Sequence, residues 1–148
     1  IPLKEPQWHG SVDFDSLDFG LELEMKDGSI FYIYWGSEFH QYGVSILTET
    51  YQHTGLVRIW DVTEYSRWNP LLGMTITSVD IAWNQLKFND ESTTPECPQD
   101  LRLTFENDKH VYISALEVWP DGNRDYMKDH ITVFFSQTDA EAYNIGPF

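Results

Sequence analysis

Few residues of this chain have the type and spacing that nucleophilic catalysis requires. No Gly-x-Ser-x-Gly turn, which would present a nucleophilic serine, occurs in its 148 residues. Cys97 is the only cysteine and stands between Glu96 and Pro98 in a predicted loop, so a structural or incidental thiol is favoured over a nucleophile. We therefore predict no catalytic residue and no enzyme. A single cysteine also excludes an intrachain disulfide and favours a reducing compartment.

The candidate metal ligands are equally scattered. The chain has five histidines, His9, His40, His53, His110 and His130. None has a zinc-ligand spacing to another. His110 and His130 fall on predicted neighbouring strands and could face each other, but two histidines lack a third ligand. Residues 121–125 begin like a calcium loop, yet Tyr126 stands where the EF-hand needs Gly and Thr132 where it needs Glu, so a hairpin turn is favoured. No glycine-rich phosphate loop is present, and we predict neither a metal nor a cofactor.

Acidic side chains are the dominant chemical feature. Twenty-four Asp and Glu residues oppose nine Lys and Arg, which gives a formal charge of −15. Carboxylate pairs such as Glu22 and Glu24 follow from this abundance, and solvation on the polar face of a strand explains them better than glycosidase chemistry. The charge excludes nucleic acid and anionic membranes as partners and favours a basic protein. A generic solubilising surface is the alternative.

Hydrophobic periodicity shows which elements would position these residues. Residues 18–26 alternate between apolar and polar, and Asp27-Gly28 follows them, which predicts a strand and a tight hairpin turn. Residues 30–35 are apolar on both faces, so this partner strand should lie centrally or under a covering element. Asp61 and Glu64 resemble a capping box before a helical turn at 65–68.

Further strands are predicted at 42–47, 74–88 with a bend or bulge, 101–105, 110–119 and 130–135, and a loop at 89–99. Asn107-Asp108 joins two of them as a hairpin, and Ser136 can cap a short helix that ends at Tyr143. About seven strands arranged as hairpins predict one domain, residues 1–148, of the mainly β class. Within this β-rich α+β class we expect an antiparallel sandwich or a strongly bent antiparallel sheet with one or two short helices.

Four phrases of the chain carry a family resemblance. They are Tyr34-Trp-Gly36 followed by Tyr42-Gly-Val44, Trp68-Asn-Pro-Leu-Leu-Gly-Met-Thr-Ile76, Pro98-Gln-Asp-Leu-Arg-Leu-Thr-Phe-Glu-Asn107 and His130-Ile-Thr-Val-Phe-Phe135. In this arrangement the chain resembles small bacterial proteins that look like immunity proteins of polymorphic toxin systems. The shared phrases are strands and turns, so no binding residue carries over. The resemblance implies a protein that binds a cognate toxin, such as a basic nuclease, and blocks it.

Residues outside the predicted strands are the candidates for binding such a basic partner. The predicted acids are Glu38, Asp90, Glu91, Glu96, Asp121 and Asp125. Trp68 and Tyr65 are the predicted aromatic anchors, because Trp and Tyr dominate interface hot spots. Trp68 is the best candidate for an exposed tryptophan and Trp60 the second, although core packing is favoured for either.

Two other functions stay open. The six tryptophans could stack sugars in a carbohydrate-binding or other ligand-binding β-domain, and His110 or His130 could act with a carboxylate in a small hydrolase. No run of eighteen apolar residues and no signal peptide is visible. Together with the single cysteine, this predicts a cytoplasmic protein.

Overall fold

The computed structural model describes residues 14–39, 42–50, 59–119 and 121–148. Within these ranges the strands are β1 Phe14–Leu17, β2 Gly20–Glu24, β3 Ile30–Gly36, β4 Gly43–Leu47, β5 Ile76–Asn84, β6 Cys97–Phe105, β7 His110–Ser114, β8 Leu116–Val118, β9 Arg124–Tyr126 and β10 Ile131–Phe134. A 3-10 helix covers Asn69–Leu71, and the α-helix α1 covers Gln137–Ala142. The predicted mainly β class with short helices is confirmed.

The strands form three antiparallel sheets that build a sandwich. A five-stranded sheet has the order β1-β10-β7-β6-β5, a three-stranded sheet the order β2-β3-β4, and β8 pairs with β9. The two larger sheets face each other, since Leu21 and Ile33 of one share a buried cluster with Leu101, Ile113 and Val133 of the other. Burial of these alternating apolar positions is the main stabilising contribution.

Local signals in the sequence placed several elements correctly. Asp27-Gly28 turns the chain between β2 and β3, with Gly28 at φ 82°. The doubly apolar β3 is the central strand of its sheet. β5 contains the predicted irregularity. Ser136 caps α1 by accepting a hydrogen bond from the backbone N–H of Asp139.

The predicted strand layout needs correction at three points. The loop predicted to end at Gln99 ends earlier, because Cys97 already pairs with Asn84 in the β5–β6 ladder. Residues 110–119 are not one strand. The Ala115 N–H bonds to Gln99 while its carbonyl accepts from Lys128, so the ladder passes from the large sheet to the β8–β9 hairpin. The short strands β1 and β9 lack a clear alternation and were not predicted.

The outer face of the five-stranded sheet carries a second buried cluster. Phe14, Tyr112 and Phe134 pack there against Ala140 of α1 and Ile145 of the chain end. The helix therefore covers the sheet on the side away from the three-stranded sheet.

Asp100 is a buried carboxylate on this outer face. Its Oδ1 accepts from the Ser114 hydroxyl at 2.6 Å and its Oδ2 from the backbone N–H of Gly146 at 2.9 Å. Burial raises the pKa of Asp100 from 3.8 to about 6, against the lowering effect of these two donors. The folded state therefore binds this proton more tightly than the unfolded chain does.

We expect Asp100→Asn to raise the free energy of unfolding at pH 7 by up to about 3 kcal/mol, since the ionised carboxylate no longer has to be buried. In the wild type, the favourable contribution of Asp100 is complete below its unfolded pKa and is lost as the pH rises through about 6. Urea unfolding between pH 4 and pH 7 measures this slope. An equal slope in Asp100→Asn would contradict the assignment, and the exposed Asp108→Asn is the control.

Candidate functional site

The five-stranded sheet is wider than the sheet that covers it. At one edge of the three-stranded sheet, β4 packs on β6 and β7. At its other edge, β2 follows β1 after only two residues. The three-stranded sheet therefore covers the five-stranded sheet from β1 to β6 and leaves β5 uncovered. Val79 pairs with Leu103 and Ile81 with Leu101, which places both β5 side chains on the core side of the sheet. Val79 is nevertheless 51% exposed and Ile81 47% exposed. Strand alternation predicts that these two side chains are buried, but in the structure they face solvent.

Trp83 continues this exposed row. The β-bulge near the end of β5 has its extra residue, Gln99, on β6, so the alternation of β5 itself continues to Trp83. Phe39 from the β3–β4 turn contacts the Trp83 ring edge to face, with ring centroids 5.2 Å apart and planes at 85°. Trp83 remains 48% exposed. We call Val79, Ile81, Trp83 and Phe39 the apolar ledge; exposed apolar patches of this kind mark interaction surfaces.

Glu38 precedes Phe39 in the β3–β4 turn, and its carboxylate lies over the outer face of the three-stranded sheet. Its carboxylate accepts hydrogen bonds from the Tyr34 hydroxyl at 3.2 Å and the Ser45 hydroxyl at 2.9 Å. Gly36 leaves the space for it, because a Cβ at position 36 would overlap the Glu38 carboxylate and the Ser45 hydroxyl. The pKa of Glu38 is lowered, chiefly by its own backbone N–H and further by the two hydroxyls, against desolvation. This carboxylate is therefore held in place and charged.

A second acidic group lies on an arm that extends from the β5–β6 hairpin. The two chains of the arm stay paired beyond the sheet, through hydrogen bonds between Leu86 and Thr94 and between Phe88 and Ser92. Asp90 at the tip accepts from both the hydroxyl and the backbone N–H of Ser92, and these bonds lower the pKa of Asp90. The acids of the arm are exposed.

The structure brings four of the six predicted acids to one end of the sandwich. Glu38 lies in the β3–β4 turn, and Asp90, Glu91 and Glu96 lie in the β5–β6 arm; both connections leave the sheets at this end. The contact between Phe39 and Trp83 joins the two connections.

Asp121 and Asp125 lie elsewhere, in the β8–β9 hairpin beside α1. The Arg124 guanidinium donates to the carbonyl of Ala142 at 2.7 Å and attaches the hairpin to the helix-covered face. Asp125 has a nearby cation in Lys128, 3.9 Å away. These two acids are not part of the ledge site.

Trp68 is a core residue, as core packing favoured, and is therefore not the exposed aromatic anchor for which it was the best candidate. Trp68 is only 8% exposed, and its Nε1 donates to Asp15 Oδ2 at 2.7 Å. Its ring packs edge to face on Phe135 at 4.9 Å. Tyr65 is half-buried against the same cluster. Residues 59–75, which precede β5, lie over the edge of the core, and this position buries Trp68 and half-buries Tyr65.

Trp83 and Phe39 are the aromatic residues that sequence reasoning missed. Trp83 stands in an apolar strand segment, which normally indicates core packing. The only available sequence signal was the place of Phe39 outside a predicted strand, next to Glu38.

The two strand histidines do not face each other. The antiparallel pairing of Tyr112 with Phe134 puts His110 and His130 about 20 Å apart, at opposite ends of the β7–β10 pair. His130 instead approaches Ser16 Oγ with Nε2 at 2.5 Å and Asp18 Oδ1 with Nδ1 at 3.5 Å.

This trio has the residue types of a catalytic triad, but its serine is inaccessible. Ser16 is only 1% exposed, so its hydroxyl cannot reach a substrate without rearrangement. The contacts of Ser16 and His130 connect β1 to the start of β10. We interpret them as structural.

Among the residues that the structure describes, no three or more His, Cys, Asp or Glu side chains gather in a way that could hold a metal ion. No helix in the described ranges is long and apolar enough to cross a membrane. The Cys97 thiol is buried.

No protein-family model, curated protein or solved structure matches the chain significantly. The resemblance to toxin immunity proteins therefore stays a prediction, and the functional proposal depends on the geometry and charge of the ledge and its acids.

The two tryptophans should differ sharply in their effect on stability. We expect Trp68→Ala to lower the free energy of unfolding by about 3–5 kcal/mol, because it creates a cavity in the core. It also removes the Nε1–H donor of the buried Asp15 carboxylate. Trp83→Ala should cost about 1 kcal/mol or less, because half of its surface is already in water. Urea unfolding measures both, and similar losses would contradict the assignment.

Removing the hydroxyl donors of Glu38 should raise its pKa. In the double variant Tyr34→Phe and Ser45→Ala, the carboxylate keeps only its backbone donor, so its charged form is less favoured. A carbon-detected NMR titration of the Glu38 carboxyl measures the shift, and Asp90, which uses a different donor, serves as internal reference. An unchanged pKa of Glu38 would show that the two hydroxyls do not hold the charge.

Proposed function

We propose that this protein is an acidic binding protein that captures a basic partner protein with the apolar ledge and the four acids beside it. The observation that carries the proposal is the row of half-exposed apolar side chains on β5, next to fixed carboxylates. The finer proposal is that the protein is an immunity protein for a bacterial toxin, with a nuclease as the preferred class of toxin. Such a protein acts by binding and needs no catalytic residue.

The acids of this end outnumber the cation of the arm, Lys87, and no ion pair between Lys87 and an acid occurs among the described residues. In the described ranges, Lys and Arg form ion pairs with only three acids, Asp15, Asp80 and Asp125. None of these belongs to the ledge site. The carboxylates of the site therefore project their field into solvent and are available to a cationic partner.

The arrangement also has the composition of a protein–protein interface. Aromatic and aliphatic side chains form its centre, and charged side chains form its rim. Trp83 is the best anchor, since tryptophan contributes most to binding when the partner buries it fully. Glu38 and Asp90 are already fixed by intramolecular hydrogen bonds, so binding costs little of their side-chain entropy. The rim acids should act mainly on the association rate and on partner choice.

The alternative functions have less support from the same residues. A sugar platform needs coplanar rings beside an acid or amide, whereas Trp83 and Phe39 stand at 85° to each other. A hydrolase needs an accessible nucleophile, whereas the serine beside His130 is buried. The ledge and its rim fit a protein surface better than a sugar or a scissile bond.

Partner capture can be tested with the product of the reading frame immediately upstream of this protein's gene. We expect the two proteins to co-purify, with an association rate that falls as salt rises. The site variant Glu38→Gln, Asp90→Asn, Glu91→Gln should lower the association rate about tenfold. Its matched control is Glu22→Gln, Glu24→Gln, Asp61→Asn, which removes the same charge. Asp61 has the same turn geometry as Asp90, through Thr63 in place of Ser92.

The anchor is tested separately through dissociation. Trp83→Ala should raise the dissociation rate about thirtyfold, as for a hot-spot residue. Trp119→Ala is the control, because Trp119 is similarly exposed, at 43%, but lies at the end of β8. Equal effects of site and control variants would place the interface elsewhere. Absence of any complex at low salt would overturn the immunity proposal.

A further inference from the structure

The opposite end of the sandwich contains a concave site of the opposite charge. A cavity of about 320 Å³ lies between the β4–β5 connection, the start of β7 and the residues that follow β10. Its polar lining includes Arg67, Lys109, His110 and Gln137. No Asp or Glu lines it, although acids outnumber Lys and Arg 24 to nine in the chain. A solubilising role of the surface charge does not explain why basic side chains line one cavity of a protein as acidic as this one.

Arg67 is built into this site. Its Nη2 pairs with Asp15 Oδ1 at 2.8 Å, and Asp15 is held in turn by Trp68. The guanidinium lies over the Phe135 ring, 5.5 Å from the centroid. Its Nη1 is buried and has no hydrogen-bond partner in the structure. Nη1 is closed off from solvent and cannot itself reach a ligand, so the exposed part of the Arg67 side chain, 23% of its surface, is what the cavity offers to an anion.

Two further donors lie on β7 and just before it. His110 uses Nδ1 with the Thr104 hydroxyl at 3.1 Å, which leaves Nε2 as the ring nitrogen for a ligand. Lys109 precedes it and is exposed. The rest of the lining includes the apolar and aromatic residues Leu71, Tyr112 and Phe135. The cavity therefore offers cationic hydrogen-bond donors together with an apolar surface against which a carbon skeleton can pack.

We infer that this cavity binds a small organic anion, a carboxylate or phosphate ester attached to a compact hydrophobic body. The anionic group sits among Arg67, Lys109 and His110, and the body packs on Leu71 and Phe135, which both lie on the inner side of the sheet. The volume lies within the range of small-molecule sites. This site is separate from the ledge, since His110 lies at the end of β7 opposite to the end that neighbours the β5–β6 arm.

Calorimetric titration with benzoate and phenyl phosphate tests the inference, with benzyl alcohol as the neutral control. We expect both anions to bind and the alcohol not to bind. Lys109→Gln and His110→Gln should each weaken anion binding about tenfold, the usual loss for one hydrogen bond to a charged group. Lys87→Gln is the matched control, because it removes the same charge from the distant β5–β6 arm.

Circular dichroism and thermal unfolding of each variant confirm that the fold is intact. NMR shifts of the amides at 67 and 109–112 on adding benzoate locate the site. The inference is overturned if neither anion binds at millimolar concentration. It is also overturned if the alcohol binds equally well, or if the Lys109 and His110 variants bind like the Lys87 control.

Discussion

The unequal widths of the two packed sheets constrain most of what this molecule presents to solvent. Three strands cannot cover five, and the short β1–β2 connection aligns the smaller sheet with the β1 side of the larger one. β5 therefore keeps an uncovered inner face. Exposed apolar surface costs roughly 25 cal/mol per Å² relative to burial, and a partner that covers the face recovers this free energy. The exposure of the ledge is thus a consequence of topology: Val79, Ile81 and Trp83 lie on the part of β5 that the smaller sheet does not cover.

Residues 59–75, which precede β5, cover another edge of the core. They also contribute Arg67, which both stabilises a buried carboxylate and lines the basic cavity. Trp68 enters the core from this segment, and its indole nitrogen bonds to the buried Asp15 carboxylate. A buried carboxylate is tolerated only when it is paired and hydrogen-bonded, and Arg67 supplies the pair. Because Arg67 also lines the cavity, the residue that satisfies Asp15 also places a guanidinium at the cavity wall.

Charge placement, rather than net charge, distinguishes the two ends. At the ledge, Glu38 and Asp90 are held ionised by nearby donors and have no cation beside them among the described residues. At the other end, Arg67 and Lys109 surround a cavity without an acidic wall. The two ends therefore differ in the sign of the charged side chains that they present, and β7 runs between them.

The sequence by itself determined the local structure: the alternation at 18–26, the turn at Asp27-Gly28 and the cap at Ser136. These features depend on neighbours a few residues apart, so periodicity and turn chemistry suffice to predict them. Only the tertiary structure decided that Trp68, the best candidate for an exposed tryptophan, is a core residue and that Trp83 from an apolar strand segment is half-exposed. Burial of a side chain depends on which strand packs over it, and the two strands are far apart in the sequence. No local sequence pattern contains that information.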